Sequence, residues 1–329
     1  MTSATSSWPP SAELEALRGR AALLARLRAF FAARGVLEVE TPALAAATVT
    51  DLHLHSLACP LAFAGERRTY YLQTSPEFAM KRLLAAGSGP IYQLCRSFRD
   101  GEAGRLHNPE FTMLEWYRPG FDHHLLMDEM DDLLATLLGR GRAERLSYAA
   151  AFARAFAGVD PHVATAAELA ALAARRGLEA VGYDQHSSAD DWLQLLFSLA
   201  VEPLLGRGAP TFVYDYPASQ AALARVSADA PGEPPRARRF EVYCDGVELA
   251  NGFHELTDAA EQRRRFESDL AERRRRGLPE PPLDENLLAA LAAGLPDCAG
   301  VALGFDRLVM LALGKKSLAE VIAFPADRA

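Results

Sequence analysis

The stretch from Arg239 to Phe253 restricts the fold more than any other. Asp245-Gly246 separates Phe240–Tyr243 from Val247–Ala250, two runs of strand composition. An Asp-Gly pair between such runs adopts the left-handed turn that closes a two-residue hairpin. Pairing across that turn sets Cys244 opposite Val247 and Tyr243 opposite Glu248. Glu241 then lies on the same face as Glu248, on the diagonal, with backbones roughly 7–8 Å apart. Two carboxylates on one sheet face can share a hard cation such as Mg²⁺, which takes oxygen ligands and bridges to phosphates. The alternative is a pair of solvated acids, which the flanking Leu-Ala-Asn-Gly-Phe makes less fitting.

Around this hairpin the periodicity predicts a helix between Ser11, as cap, and Gly35, with Leu14, Leu17, Ala21, Leu24, Leu27 and Phe31 on one face. Residues 36–40 alternate as a strand stopped by Thr41-Pro42. Further strands are expected at 70–73, 91–94, 111–117, 211–216 and 301–303. Helices are expected at 75–84 with Pro76 in the first turn, at 125–138, mainly over 163–205, at 258–276 and at 306–313. Residues 1–10 read as a flexible tail and the Pro-rich 229–239 as a surface loop. The fold class is α+β, one domain over 11–329, with a mainly antiparallel sheet flanked by helices.

Charge and cysteine usage narrow the partners. The 329 residues carry 35 Lys and Arg against 43 Asp and Glu, a net charge of −8, whereas a general nucleic-acid binder needs a cationic surface. No run reaches the roughly 18 apolar residues of a membrane span. The four cysteines, Cys59, Cys95, Cys244 and Cys298, are far apart and form no CxxC pair. The N-terminus lacks a secretory signal pattern, so a soluble, reduced, cytoplasmic protein is expected. The Arg273–Arg276 run reads as a solvated face, with a docking role as the alternative.

Three further segments carry chemistry. The loop between two strands holds Arg96, Arg99, Arg105 and His107, a candidate anion clamp or a hairpin with surface arginines. Gly300 to Arg307 runs through glycines into an apolar helix, where a helix N-terminus and an arginine suit a nucleotide phosphate. Neither a GxxxxGK[ST] loop nor a dinucleotide fingerprint is present. Glu77, Tyr117 and Glu255 would attract amines if they lined one pocket, but sequence alone does not bring them together.

Taken together these segments resemble the catalytic domain of class II aminoacyl-tRNA synthetases. The first helix with Glu38-Val39-Glu40-Thr41-Pro42 is similar to motif 1, Phe98-Arg99 through Phe111 to motif 2, and Gly304-Phe305-Asp306-Arg307 to motif 3. Within the class, TSPEFAMKRLL, HNPEFTMLEWY and RFEVYCDGVELANGFHELTD resemble lysyl-tRNA synthetase, from about residue 15 to the end. The resemblance begins near residue 11, so the N-terminal OB-fold that reads an anticodon in lysyl-tRNA synthetases is not expected here. The chain is therefore most similar to free-standing paralogues that lysylate elongation factor P.

The resemblance implies ATP as co-substrate, Mg²⁺, and activation of lysine or (R)-β-lysine as an adenylate. It implies that Arg99 clamps the α-phosphate, that Arg307 packs over adenine and meets the terminal phosphate, and that Phe111 stacks on the other adenine face. Asp100, Gly101, Glu102, His107, Asn108, Glu248, Leu249, Asn251 and Gly304 complete the implied ATP site, and Glu241 with Glu248 the metal site. Ser75, Pro76, Glu77, Tyr117, Glu255 and Ala302 are the implied amino-acid contacts. Elongation factor P is the implied acceptor, a homodimer through motif 1 is expected, and stable tRNA binding is not. Two departures stand out. The Arg-x-Glu of motif 2 reads Arg99-Asp100-Gly101, which moves the acid to Glu102 or leaves its role to the backbone. Ala302 stands where lysyl-tRNA synthetases usually have Gly, and its methyl would disfavour an α-amino group. The alternatives are a truncated core that charges tRNA with α-lysine, and a non-catalytic regulatory paralogue. The latter is expected to lose an arginine or metal acid, yet Arg99, Arg307, Glu241 and Glu248 are all kept. An amidating ligase acting on aspartate would need a pocket of the opposite sign.

Overall fold

Alternation along the strands divides the molecule into an apolar and a polar side of one twisted sheet. A computed structural model describes residues 8–178, 180–184 and 187–329. Most of the expected tail, residues 1–7, lies outside them.

The sheet runs in the order β1 (Leu37–Glu38), β5 (Ile91–Phe98), β6 (Glu110–Pro119), β12 (Cys298–Gly304), β11 (Val247–His254), β10 (Arg236–Cys244), β8 (Thr211–Pro217), β7 (Glu144–Ser147), with β9 (Val226–Ser227) also paired to β10. Its interior pairs are antiparallel, and only the edge pairs β1–β5 and β7–β8 are parallel. The expected α+β class holds. A small second sheet joins β2 (Leu44–Ala45), β4 (Glu66–Leu72) and β3 (Ala58–Phe63).

On one face Tyr92, Leu114, Trp116, Val242, Ala250, Val301 and Leu303 enter the main core. Helices α1 (Leu14–Ala32), α3 (His123–Leu138) and α9 (Phe305–Ala312) cover that face, with Leu27, Phe31, Met127, Met130, Leu308 and Val309 facing inward. Burying such side chains stabilises by roughly 1.5–3 kcal/mol each. The opposite face carries one row in register across five strands: Gln93, Glu115, Ala302, Asn251 and Glu241. Helices α2 (Glu77–Ala85) and α8 (Glu285–Gly294) close one end of this polar face, packing with Phe266 around Ile91, Tyr117 and Cys298.

Local chemistry explains where elements begin and end. Asp122 caps α3 by accepting the Leu125 N–H, and Gly139 ends it at φ +66°. Gly35, at φ +64°, turns the chain out of α1. Ser11 is not the cap of α1: Glu13 holds that position without a side-chain bond, and the Ser11 N–H donates to the Ala323 carbonyl. The 36–40 strand shortens to two residues.

The 163–205 stretch is not one helical run. It holds α5 (Ala166–Arg175) and α6 (Ala189–Leu196), each opened by a capping box, Thr165/Glu168 and Ser188/Asp191. A π-helical turn, Phe197–Val201, follows α6. With α4 (Tyr148–Ala155) these helices build a second core around Phe152, Leu169, Trp192 and Leu196. Elements β3, β7, α4 and α8 carried no sequence expectation. The end of the 229–239 loop is strand, because β10 begins at Arg236.

The arginine run ends α7 (Ala259–Arg275) and is solvated at Arg274 and Arg275, as expected, but not at Arg273. Arg273 is buried and donates to the Pro279 and Asp51 carbonyls, Arg274 pairs with Glu280, and Arg275 and Arg276 pair with Glu272. All four cysteines are free, with Cys244 and Cys298 buried.

Candidate active site

The polar face has two chemically distinct ends, and α2 builds the first. The Ser75 hydroxyl accepts the Glu77 N–H at 3.0 Å and donates to Glu115 Oε2 at 2.8 Å, tying the helix start to β6. Glu77 and Lys81 are one helical turn apart and point the same way. Lys81 Nζ lies 2.6 Å from Glu77 Oε1 and 2.6 Å from Glu255 Oε2, and Glu255 follows β11 directly. On β6 the Tyr117 hydroxyl donates to Glu115 Oε1 at 2.5 Å. Gly300 is the register partner of Tyr117. A Cβ on Gly300 would come within 2.2 Å of the Tyr117 ring and 2.6 Å of Glu255 Oε1. Glycine is therefore what lets the phenol and that carboxylate close over β12. Ala302 sits beside Glu115 on one side and Asn251 on the other.

Glu77, Tyr117 and Glu255 thus do come together, around an acid that sequence reading passed over. Burial, then repulsion from Glu77, pushes Glu115 up to about 8 against the hydroxyls of Tyr117 and Ser75, and Glu255 adds to the rise. Burial pushes Glu255 up to about 8 against the pull of Lys81, with Glu77 adding to the rise. Burial opposes the Lys81 charge, but its two carboxylates outweigh that and hold the ammonium above its ordinary range. Burial and the three acids together raise the Tyr117 phenol. The group is an electronegative cluster, an environment that favours a cation over an anion or a neutral group.

The hairpin builds the second end. Cys244 does face Val247 and Tyr243 does face Glu248. One residue on, the register slips: Val242 pairs with Ala250 and Glu241 with Asn251, so Leu249 is the extra residue of a bulge. Leu249 and Ala250 both turn to the core. The bulge puts Glu248 and Asn251, three apart in sequence, on one face with Glu241, which a regular strand forbids.

Glu241 accepts hydrogen bonds from Tyr216, at 2.7 Å, and Tyr243, and pairs with Arg239. Arg239 also donates to Asn251 Oδ1 at 3.1 Å. Burial and then Glu241 push Glu248 up to about 7, against Arg307, Arg239 and Arg99. Burial, then Glu241 and Glu248, push Glu202 likewise to about 7.

Motif 3 and motif 2 meet at these acids. Arg307, in the first turn of α9, donates to the Glu248 carbonyl at 2.8 Å and the Leu106 carbonyl at 3.2 Å, with His107 Nε2 2.8 Å from its Nη2. Burial, then Arg307, lowers the His107 value, with Arg99 contributing, which suits a neutral imidazole accepting at Nε2. The Arg99 guanidinium stands 5.0 Å over the Phe111 ring and 3.6 Å from Glu102, and its Nε has no partner among the described residues. A Cβ on Gly304 would meet the Arg307 side chain at 3.7 Å and the Leu249 carbonyl at 3.8 Å, so the backbone here lies directly beside both.

Asp306 fixes this corner from behind. It pairs with Arg20 of α1 at 2.6 Å and accepts the Thr112 N–H at 2.7 Å, while Arg20 also donates to the Thr112 hydroxyl.

The four-residue clamp narrows. Arg96 turns to Thr112 and Glu110, and Arg105 to the Lys316 carbonyl, so only Arg99 and His107 gather at Arg307. Asn108 spends its side chain on the Glu110 carbonyl and the Ala326 N–H, pinning the C-terminal segment to the loop. Asp100 and Gly101 form a turn, Gly101 at φ +79°, with the Asp100 N–H on the His55 carbonyl. Pro76 precedes α2 as its cap residue.

A family model described as tRNA synthetases class II (D, K and N) matches residues 11–328. The chain belongs to the class II tRNA synthetases. Among relatives of this family, proteins from Salmonella dublin and Salmonella enteritidis PT4, each named elongation factor P–(R)-β-lysine ligase, are 56% identical over 329 aligned positions. These cover 99% of this chain and 100% of either relative. No helix among the described residues is long and apolar enough to cross a membrane.

Class II synthetases use Mg²⁺ with ATP, and the acids fit such an ion in part. Glu248, raised to about 7 beside Glu241, marks negative charge that a hard cation would relieve. No set of three or more His, Cys, Asp or Glu able to hold a metal occurs among the described residues. Two protein carboxylates with phosphate and water oxygens fit better than an all-protein cage.

The residues missed from sequence are Glu115, Lys81, Tyr216, Tyr243 and Arg239. Glu115 had a readable signal, as the one acid inside the apolar run Phe111–Tyr117 at the alternation step of Tyr117.

Proposed function

We propose that this chain is an ATP-dependent ligase that activates (R)-β-lysine, or lysine, as an adenylate and transfers it to a lysine ε-amine of elongation factor P. The observation that carries the reading is the pocket of Glu77, Glu115 and Glu255 beside the arginine corner of one sheet face, in a chain 56% identical to ligases of that name. The register row separates Glu115 from Glu241 by three strand spacings, roughly 14 Å. That span suits an amino acid at one end and a triphosphate at the other.

In this reading the ammonium groups of the substrate settle on Glu77, Glu115 and Glu255 with the Tyr117 phenol, between Ser75-Pro76 and Ala302. Its carboxylate points toward Arg99 and attacks the ATP α-phosphate in line, releasing pyrophosphate. Catalysis is positioning plus charge stabilisation. Arg99 holds the α-phosphate, and Arg307, steadied by His107 and the Glu248 carbonyl, covers adenine and reaches the terminal phosphate. Phe111 gives up Arg99 as its neighbour and stacks on adenine. Asp100, Gly101, Glu102, Asn108, Leu249, Asn251 and Gly304 wall the nucleotide. Glu241 and Glu248 would hold Mg²⁺, which neutralises phosphate charge when bound. The acceptor amine then attacks the mixed anhydride, and the leaving adenylate phosphate is positioned to take its proton.

Ala302, directly beside Glu115, sets the preference for β- over α-lysine by filling the space of an α-ammonium. Residues 11–329 act as one catalytic domain, and a homodimer forms through α1 and the edge strand β1, where Leu37 is exposed. The acidic net charge favours a protein acceptor over stable tRNA binding.

The test is the intact mass of elongation factor P after incubation with this protein, ATP, Mg²⁺ and either lysine isomer. A gain of one lysyl unit, faster with (R)-β-lysine, is expected. No gain despite lysine-dependent pyrophosphate exchange would keep the adenylation and remove the acceptor.

A further inference from the structure

Three carboxylates meet in the amine pocket, yet a lysine-like substrate brings only two ammonium groups. We propose that Lys81 is a specificity-determining residue: its buried ammonium is a built-in third counter-charge that leaves the pocket matched to a ligand carrying two ammonium groups. The inference rests on the lysine reading of this site and assigns the residue that sets its charge count.

The geometry carries it. The Lys81 side chain is 2% exposed and its Nζ bridges Glu77 and Glu255 at 2.6 Å each. Buried and held at 2.6 Å by both carboxylates, this ammonium stays in place, and an incoming substrate adds to it. Glu115 is held only by neutral hydroxyls among the described residues, those of Ser75 and Tyr117, and so lacks a cation. Glu255 Oε1 is buried with no hydrogen-bond partner among the described residues.

A buried carboxylate is stable as an ion only against a nearby cation, and stripping one partner from a buried pair leaves an uncompensated charge. Three acids less one resident ammonium make two vacancies. A ligand with a single ammonium leaves one acid unpaired. The groups that act on Lys81 are Glu77 on α2, Glu255 after β11 and Cys298 on β12, while Glu115 and Tyr117 on β6 act on Glu77 and Glu255.

Removing Lys81 brings Glu77 and Glu255 into direct repulsion, and the ammonium contacts lose their spacing. The bridge also joins α2 to the segment after β11, so charge must be separated from packing in the test. Truncation to alanine removes three carbons and the amine, the outline of propylammonium, and propanol has nearly the same shape without charge.

The experiment measures KM and kcat for lysine in pyrophosphate exchange with K81A, alone and with propylammonium or propanol. The KM for lysine is expected to rise at least tenfold in K81A with a smaller change in kcat. Propylammonium should recover most of it and propanol none. Equal recovery by both compounds, or by neither, overturns the proposal, because the residue then acts by packing alone.

If K81A does not fold, K81M and K81M/E255Q decide. The double variant restores two acids for two ammonium groups and should fold and bind lysine more tightly than K81M. A double variant no better than the single one overturns the proposal. A wild-type protein that shows no lysine-dependent exchange refutes the lysine reading itself, and is distinguished by needing no variant.

Discussion

Replacing Glu115 by glutamine is expected to stabilise the protein at alkaline pH while it weakens lysine activation. Burial and the neighbouring acids Glu77 and Glu255 push the Glu115 carboxyl from its ordinary 4.5 up to about 8. A group raised on folding binds its proton more tightly in the native state. Its contribution to stability is fully present below the unfolded value and is lost as pH rises through the folded one. Each pKa unit corresponds to about 1.4 kcal/mol, so from pH 6 to pH 9, where the carboxyl ionises in the unfolded chain before it does in the folded one, wild-type stability falls by about 3 kcal/mol. The glutamine variant does not undergo that loss.

Unfolding entropy near 2.1 cal/mol/K per residue gives about 0.7 kcal/mol/K for 329 residues. The melting temperature of the variant relative to wild type should therefore rise by about 4 °C from pH 6 to pH 9. Glutamine keeps the side-chain outline, and the hydroxyls of Ser75 and Tyr117 can turn to accept from its amide. Lysine-dependent pyrophosphate exchange should fall, since a hydrogen bond to a charged group contributes roughly 1.5–3 kcal/mol, about 10- to 150-fold in kcat/KM. The assays are differential scanning calorimetry across pH and exchange kinetics on the same preparations. A melting-temperature difference that does not change with pH would refute the argument that Glu115 is buried among like charges. Unchanged exchange would remove it from the amine pocket.

Three other consequences follow from the same geometry. Arg99→Ala should lower adenylate formation by about 10²–10³, as for loss of one preorganised transition-state contact, with an unchanged melting temperature; near-normal pyrophosphate exchange would defeat the assignment. Asp306→Asn should cost about 3–5 kcal/mol in urea denaturation because it strands Arg20, and a loss below 1 kcal/mol would show that the Arg20–Asp306 pair does not hold α1 to motif 3. Glu248, raised to about 7 by burial and Glu241, should give ATP affinity in Mg²⁺ that improves from pH 6 to pH 8 as it ionises, and Glu241→Gln should move that midpoint downward; a profile unmoved by the substitution would uncouple the two acids.

Much of the catalytic face was legible because strand alternation is a local property. The Asp245-Gly246 turn and the pairing next to it follow from two glycine-compatible turn positions and period-two alternation. The three motif segments also carried their arginines and acids in plain view. What failed did so for identifiable reasons. Arg96 and Arg105 read as equals of Arg99, yet each found a partner far away in sequence or on the other sheet face. Asn108 lost its side chain to Ala326, 218 positions away. Arg273 reads as a solvated charge and is buried against the Asp51 carbonyl.

The amino-acid sequence by itself determined the element types along most of the chain, the hairpin turn, the sign of the pocket's candidate residues and the identity of the motif arginines. These rest on turn chemistry, short periodicities and side-chain charge, which act within a few residues. Only the tertiary structure decided that β12 lies between β6 and β11, setting Ala302 between Glu115 and Asn251. It alone decided the bulge at Leu249 that turns Glu248 and Asn251 to one face, and the capture of Lys81 between Glu77 and Glu255. The physical reason is the same in each case. Alternation says which side chains share a face of one strand, but the order and register of strands separated by well over a hundred residues are set by burying Trp116, Leu303 and Phe240 in one core, and that burial carries the polar row into line on the opposite face.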